Sequence, residues 1–195
     1  MISPREATLS LVGALRLARF DPQGALFLNA TVQGFWNSFW VAVVIAPIYL
    51  LELVVRWHNA DIPTTALYYF SVEAIIYVMG WVALPLAMVH VCRAMGWSQR
   101  FLVFAVANNW ADLVVYALVI PIQIAVSLGL LTGAAMSFML SVMLIYGLGL
   151  SWFVARHTLN ISAIAATGVV ALSVVLNFIM RYWGAVLMST SPPLS

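Results

Sequence analysis

The chain has 195 residues, of which 65% are hydrophobic and 7% are charged, and its formal net charge is +2. Soluble domains carry about 25% charged residues, so this composition excludes an ordinary soluble protein and predicts an integral membrane protein. All basic residues are arginines spread along the chain, which argues against the clustered basic footprint of a nucleic-acid-binding protein. The predicted fold class is all-α: an integral membrane helical bundle of five transmembrane helices with an N-terminal interfacial amphipathic helix.

Residues 1–33 are predicted to form a cytosolic segment that contains this amphipathic helix. Ser3 can cap the helix, Pro4 suits its first position, and Glu6 has the spacing that closes a capping box. Three arginines share one side: Arg5, Arg16 and Arg19. Apolar residues line another side: Ala7, Leu11, Ala14, Leu15 and Ala18. The helix therefore suits an anionic membrane surface, with packing on its own bundle as the alternative, and both can hold. A type I turn is expected at residues 21–24.

Apolar runs need roughly 20 residues to cross a hydrocarbon core of about 30 Å. Five runs qualify within the predicted transmembrane domain, residues 34–184: about 35–55, 66–91, 101–131, 134–154 and 160–182. The third run is too long for one straight span, so residues 99–109 are expected to form a short interfacial helix that leads into a membrane helix from about 110. Residues 185–195 are expected to be a disordered tail.

The distribution of arginine predicts the orientation, because basic residues in short loops favour the cytoplasmic side. An N-terminus inside and a C-terminus outside place six arginines in the cytoplasm: Arg5, Arg16, Arg19, Arg93, Arg100 and Arg156. Only Arg56 and Arg181 then lie outside. The absence of lysine and of a secretory signal fits the inner membrane of a bacterium.

Acidic residues inside apolar runs are the sharpest functional candidates, because an ionisable group is costly at membrane depth. Asp112 lies in the third run, and Asn108, four residues earlier, can donate a hydrogen bond to it along one helical face. Helical rise places Asp112 about 16 Å deep if the span begins at residue 101. It lies at the cytoplasmic interface if the membrane helix begins near 110.

Glu52 and Arg56 have the spacing and order of a helical ion pair near the outer end of the first run. Glu73 lies about 10 Å below the outer surface by helical rise. It can meet Glu52 or Arg56 across the bundle, or share a proton with Glu52. A proton or ion path through Glu73, Asp112 and Asn108 is the functional interpretation of these carboxylates, and a structural role is the alternative.

Chemistry of other kinds finds little support in the sequence. Cys92 is the one cysteine, and the three histidines are separated along the chain: His58, His90 and His157. No metal site and no cofactor are therefore expected. No nucleophile and base stand at the spacing of a known catalytic motif, so the chain is predicted not to be an enzyme. Small residues in the fourth and fifth runs suit close helix packing within the bundle, with a homodimer seam as the alternative.

Two local stretches resemble the Yip family of Ypt/Rab-interacting membrane proteins, which has uncharacterised five-span members in bacteria. They are residues 116–121 (YALVIP) and residues 152–162 (WFVARHTLNIS). The layout is also similar: a cytosolic N-terminal segment, five closely spaced spans and a C-terminus outside. Only residues 34–36 (GFW) resemble the segment that precedes the first span of eukaryotic members, so Rab binding is not implied. The family is not known for enzyme chemistry.

Two functions follow from these observations. The first is a non-enzymatic scaffold or adaptor that organises membranes or a membrane complex, as the resemblance implies. Its partners would be the lipid bilayer, through Arg5, Arg16 and Arg19, and a membrane or cytosolic protein. The alternative is a small proton- or cation-coupled transporter, or a channel subunit, that uses Glu73 and Asp112.

Overall fold

The computed structural model describes residues 2–60, 62 and 64–189. Within these residues the chain is helical and without strands, which confirms the all-α class. The helices are α1 (Pro4–Ala18), α2 (Val32–Ser38), α3 (Trp40–Asn59), α4 (Ala66–Ala94), α5 (Phe101–Ser127), α6 (Gly133–Leu159) and α7 (Ala163–Ser189). Five candidate membrane spans are found in the described part of the chain: Val32–Asn59, Ala66–Ala94, Ser98–Ser127, Gly133–Leu159 and Ala163–Ser189. By length and hydropathy the chain is a multi-pass membrane protein.

The N-terminal helix begins as its sequence predicts, but one half of the expected capping box is absent. The Ser3 hydroxyl accepts a hydrogen bond from the Glu6 backbone N–H at 3.2 Å. The Glu6 carboxylate instead accepts bonds from the side-chain amides of Asn29 and Asn37, each at 2.9 Å. The Glu6 carboxylate bonds to these amides rather than to the exposed backbone N–H of Ser3, because hydrogen bonds to a charged acceptor are strong in a partly buried contact. Glu6 therefore ties α1 to the start of the first span.

The turn predicted at residues 21–24 is present, and the Gly24 N–H donates to the Asp21 carbonyl at 3.1 Å. It opens a 3-10 helix, Pro22–Phe27, which Asp21 caps by accepting from the Gln23 N–H at 3.0 Å. Proline in the first turn of this helix needs no backbone donor. The apolar side predicted for α1 is divided: Ala14 is buried, whereas Leu11 and Leu15 are exposed.

The inner face of α1 packs against the bundle. Its buried residues are Ser10, Gly13, Ala14 and Leu17. The Ala18 carbonyl accepts a hydrogen bond from the Tyr146 hydroxyl of α6 at 2.9 Å. The outward face carries Leu11, Val12 and Leu15 together with Arg19. Packing on the bundle and an amphipathic outer surface therefore occur together on this one helix.

The first membrane segment consists of two helices rather than one. Thr31 caps α2 by accepting from the Gly34 N–H at 3.0 Å, and Phe39 joins α2 to α3. At this joint Ser38 is fully buried, and its hydroxyl accepts a hydrogen bond from the Asn109 amide of α5 at 2.8 Å. The predicted start at residue 35 therefore falls inside α2, because the cap lies at Thr31.

The third apolar run forms one uninterrupted helix, so the predicted short interfacial helix at residues 99–109 is wrong. A 3-10 turn, Ser98–Arg100, leads directly into α5, which ends at Ser127 rather than at 131. Residues 104–111 are all buried, because α1, α2, α3 and α6 pack around this part of α5. Protein, rather than a lipid headgroup layer, surrounds the first third of the helix.

The last helix extends beyond its predicted end near residue 182. It continues to Ser189, and the Tyr68 hydroxyl of α4 donates to the Leu187 carbonyl at 3.0 Å. Residues 185–189 are therefore helical and not part of a disordered tail, because they are apolar and contact α4. The rest of that predicted tail, 190–195, lies outside the described residues.

The exposed apolar side chains of the bundle form the surface on which lipid contact is expected. On α6 the exposed large apolar residues lie in the half nearer Gly133: Phe138, Leu140, Val142, Leu144 and Ile145. The half that ends at Leu159 is largely buried, and α6 packs mainly against α5 and α7. The long spans of 27 to 30 residues exceed the roughly 20 that a bilayer core requires.

Candidate functional site: a polar cavity between four helices

A cavity of about 440 Å³ lies between α4, α5, α6 and α7. Its walls are mainly apolar, but side chains with charged, amide or hydroxyl groups also line it: Asn108, Asn109, Asp112, Tyr116, Ser151, Ser173, Asn177 and Arg181. A few polar groups in an otherwise apolar pocket of this size are typical of small-molecule binding sites. In a membrane bundle, such groups are expected to face a cavity or the protein interior.

One polar row comes from α5. Asn108, Asp112 and Tyr116 are spaced four residues apart, so they lie on one face of the helix, and all three line the cavity. The Asn108 amide donates to the Asp112 carboxylate at 2.8 Å, as the spacing predicts. The neighbouring Asn109 is fully buried, and its amide donates a hydrogen bond to the Ser38 hydroxyl, so it fixes this part of α5 to α2. The Asp112 side chain is thereby oriented by a neutral partner.

A second polar row comes from α7. Ser173, Asn177 and Arg181 also follow a four-residue spacing and line the same cavity. The Asn177 amide donates to the Ser173 backbone carbonyl at 3.0 Å. Gly147 and Ser151 of α6 lie across from these side chains, and their small size leaves the volume open. Two polar faces thus border one space.

The two charged residues of the cavity are not paired with another charge. Among the described residues, Asp112 has the hydrogen bond from Asn108 and no ion pair. Arg181 is exposed and takes part in none of the ion pairs or side-chain hydrogen bonds found in that same part of the chain. The remaining acceptor sites of Asp112 and the donors of Arg181 are therefore available toward the cavity.

The other predicted acidic residues form a separate ion cluster near the opposite end from α1. Arg56 Nε lies 3.4 Å from Glu52 Oε1, which is the ion pair expected from the four-residue spacing. Arg56 Nη2 also lies 3.3 Å from Glu73 Oε1 across the bundle. The Tyr49 hydroxyl donates to the other oxygen of Glu73 at 2.9 Å. The cluster thus joins two carboxylates to one guanidinium.

A smaller cavity of about 90 Å³ lies between the cluster and the main cavity. It shares Tyr116, Asn177 and Arg181 with the main cavity and reaches Tyr49, whose hydroxyl bonds Glu73. Gln123 adds another polar side chain to its wall. A chain of polar groups therefore runs from Asp112 past Arg181 toward Glu73.

The structure separates the two carboxylates that the sequence grouped together. Asp112 and Asn108 line the main cavity, whereas Glu52 and Glu73 are both paired with Arg56 outside it. Sequence reasoning missed Arg181 as a member of the site because it placed this arginine at the outer end of the fifth span. The sequence did contain a signal for this site, which is the four-residue spacing of polar residues at 108, 112 and 116 and again at 173, 177 and 181.

The three predicted membrane-surface arginines have different environments. Arg5 and Arg19 are exposed. Arg16 lies 3.6 Å from Asp21 and sits over the Phe27 ring at 4.8 Å from its centroid. Arg16 therefore helps to fix the 3-10 helix to α1, while the other two are free to meet a surface.

Fold and site together define a multi-pass α-helical membrane protein with a polar cavity inside its bundle. Comparison with known proteins finds no matching family model, no matching curated protein and no matching solved structure. The arrangement of its own residues is therefore the basis for any functional assignment.

Proposed function

We propose that this protein is a small, non-enzymatic, proton- or cation-coupled membrane carrier, in which the cavity is the cargo site and Asp112 receives the positively charged group. The observation that carries the proposal is the Asp112 carboxylate, which lines the cavity without a cationic partner. An isolated carboxylate inside a membrane bundle is unfavourable, so its presence there is best explained by a function.

The position of Asp112 along α5 supports a carrier. It lies eleven residues from Phe101 and fifteen from Ser127, which correspond to about 16 and 22 Å by helical rise. The carboxylate is therefore inside the bundle whichever end of the helix is taken as the membrane boundary. Sites near mid-membrane suit alternating access, because they can be reached from either side after a modest rearrangement.

The proposal gives Glu73 a structural role. Its carboxylate is occupied by Arg56 and by the Tyr49 hydroxyl, so it holds α3 against α4 rather than binding cargo. Asn108 positions Asp112 through its 2.8 Å hydrogen bond. Of the two predicted path carboxylates, Asp112 is thus the one on which transport should depend.

The proposed orientation places the end with α1 in the cytoplasm. The helix directions put Arg93, Arg100 and Arg156 at the same end of the bundle as α1, as the positive-inside rule requires of a cytoplasmic face. A bacterial inner membrane is the proposed location, on the sequence grounds given above.

A scaffold or adaptor, as the Yip resemblance implies, is the second candidate function. The observation in its favour is the outward face of α1, where exposed Leu11 and Leu15 accompany exposed Arg5 and Arg19. Apolar and basic residues on one helical surface favour contact with anionic lipid or with a protein partner. A scaffold that acts through this face of α1 needs no transport through the bundle.

Flux measurements in proteoliposomes distinguish the two. Wild-type protein should pass protons or monovalent cations above the rate of empty vesicles, and Asp112→Asn should lose that flux because the neutral amide cannot balance a cation. Asp21→Asn is the matched control, since this aspartate lies outside the cavity in an exposed pair with Arg16. Flux equal to empty vesicles from folded wild type would remove the carrier proposal and favour the scaffold.

A further inference from the structure

One cavity contains an unpaired anion and an unpaired cation, and each could have neutralised the other if the two had been in contact. Asp112 and Arg181 both line it, yet no ion pair joins them. We propose that the cargo is zwitterionic: its cationic group binds Asp112 and its anionic group binds Arg181. This inference rests on the proposed role of the cavity as the cargo site, and it names the class of cargo.

The separation of the two charges suits such a molecule. Helices α5 and α7 run in the same direction, and Asp112 and Arg181 lie eleven and eighteen residues from their respective starts. Helical rise then places their backbones about 10 Å apart along the bundle axis when the two starts are level. The long arginine side chain can shorten this gap. A headgroup with an amine at one end and a phosphate or carboxylate at the other can bridge the remainder.

Neutral polar groups between the two charges supply further contacts. Asn177 lies one helical turn before Arg181, and Ser173 lies one turn earlier again. Tyr116 lies one turn beyond Asp112 and lines both cavities. Amide and hydroxyl donors beside a guanidinium favour the oxygens of a phosphate or carboxylate. The anionic group is therefore expected at the Arg181 end.

The walls of the cavity indicate that the cargo is an amphiphile. Leu140, Leu144 and Val174 line the cavity and are also exposed on the outer surface of the bundle, where lipid contact is expected. An opening bordered by lipid-facing apolar residues lets an acyl chain stay in the bilayer while the headgroup enters. A volume of about 440 Å³ accommodates a headgroup rather than a whole lipid.

The probes are three compounds that differ in one feature each. Short-chain phosphatidylethanolamine has the amine, the phosphate and the acyl chains. Its N-acetylated form keeps the chains and phosphate but loses the positive charge. Glycerophosphoethanolamine keeps the amine and the phosphodiester but has no chains. Binding of each to the purified, detergent-solubilised protein is measured by native mass spectrometry, with glycerophosphoethanolamine also added as a competitor.

The wild type should bind phosphatidylethanolamine at least about thirtyfold more tightly than the N-acetylated form, because the latter leaves a desolvated carboxylate without its partner. Equal binding of the two lipids by the wild type would overturn the proposal, and this comparison needs no variant. Competition by glycerophosphoethanolamine would identify a chain-free zwitterion as a sufficient cargo. Failure to compete, with the lipid preference intact, would identify the lipid.

Variants assign each charge to its residue. Asp112→Asn should abolish the preference for the free amine, and Arg181→Gln should weaken binding of the phosphate-bearing lipid whether or not it is acetylated. Arg181→Lys should restore much of that binding, whereas Arg19→Gln is the control for an exposed arginine outside the cavity. Unchanged binding by Arg181→Gln would show that Arg181 extends to the lipid headgroups instead, and would overturn the assignment.

The outcome can be separated from that of the proposed function. Proton or cation flux that depends on Asp112, without a preference for the zwitterionic lipid, would contradict only the cargo inference. A preference for the zwitterionic lipid without flux would support the binding site and contradict the carrier proposal. The absence of both would contradict both proposals.

Discussion

The ion cluster of Arg56, Glu52 and Glu73 should contribute strongly to stability, and Arg56→Met tests this. The Glu52 and Glu73 side chains are 5% and 11% exposed, so removal of the guanidinium leaves two buried carboxylates without a cation. Removing one partner of a buried pair costs about 3–5 kcal/mol. Because Arg56 itself is 33% exposed, the lower end applies, and we expect the free energy of unfolding to fall by about 3 kcal/mol.

The triple variant Arg56→Met, Glu52→Gln and Glu73→Gln distinguishes charge from packing. It removes the stranded carboxylates together with the guanidinium, so its free energy of unfolding should return to within about 1 kcal/mol of the wild type. Unfolding is followed by far-UV circular dichroism in mixed micelles with increasing denaturing detergent. A triple variant as unstable as Arg56→Met alone would refute the electrostatic reasoning and show that Arg56 acts through its packing.

Two further predictions concern the joint between α2 and its neighbours. Ser38→Ala leaves the buried Asn109 amide without the oxygen that accepts its 2.8 Å hydrogen bond. The free energy of unfolding should therefore fall by about 1–3 kcal/mol in the same assay. Ser137→Ala, at an exposed serine of α6, is the control and should change this free energy little. Gly34→Ala places a Cβ against the backbone carbonyl of Asn29, which cannot move as a side chain could, so we expect a loss of about 1–3 kcal/mol, whereas Gly168→Ala, with open space around it, should not be destabilised.

The helical class and the five candidate membrane spans could be predicted from hydropathy, because each apolar run was long enough to span a bilayer. The single uninterrupted helix that the third run forms could not be predicted from hydropathy. Hydropathy treats burial in protein and burial in lipid alike, so it gave no sign that residues 104–111 are enclosed by α1, α2, α3 and α6. The expected break near residue 110 is absent for this reason.

Local spacing predicted some contacts of the site and not others. The bonds Asn108–Asp112 and Glu52–Arg56 each join residues four apart on one helix, so periodicity alone indicates them. The contact between Arg56 and Glu73 was only one of several alternatives, because it depends on how α3 and α4 pack. The meeting of the α5 and α7 polar rows depends in the same way on helix packing.

The side chain of Glu6 illustrates the same limit at the N-terminus. Its spacing from Ser3 predicts a capping box, and the sequence contains no sign that two amides would compete for it. Asn29 and Asn37 are 23 and 31 residues away, and only the folded chain brings them to the carboxylate. The capping-box motif therefore predicted correctly the bond from the Glu6 backbone N–H to Ser3. It predicted wrongly the partner of the Glu6 carboxylate.

The most direct test of the carrier proposal is proton and monovalent-cation flux in proteoliposomes containing Asp112→Asn, Glu73→Gln or the wild type, with insertion and folding matched. The account predicts that Asp112→Asn falls to the rate of empty vesicles, since Asp112 lines the cavity without a counter-ion. Glu73→Gln should retain transport, because its carboxylate serves the ion cluster. Undiminished flux through Asp112→Asn would contradict the claim that cargo binds at Asp112.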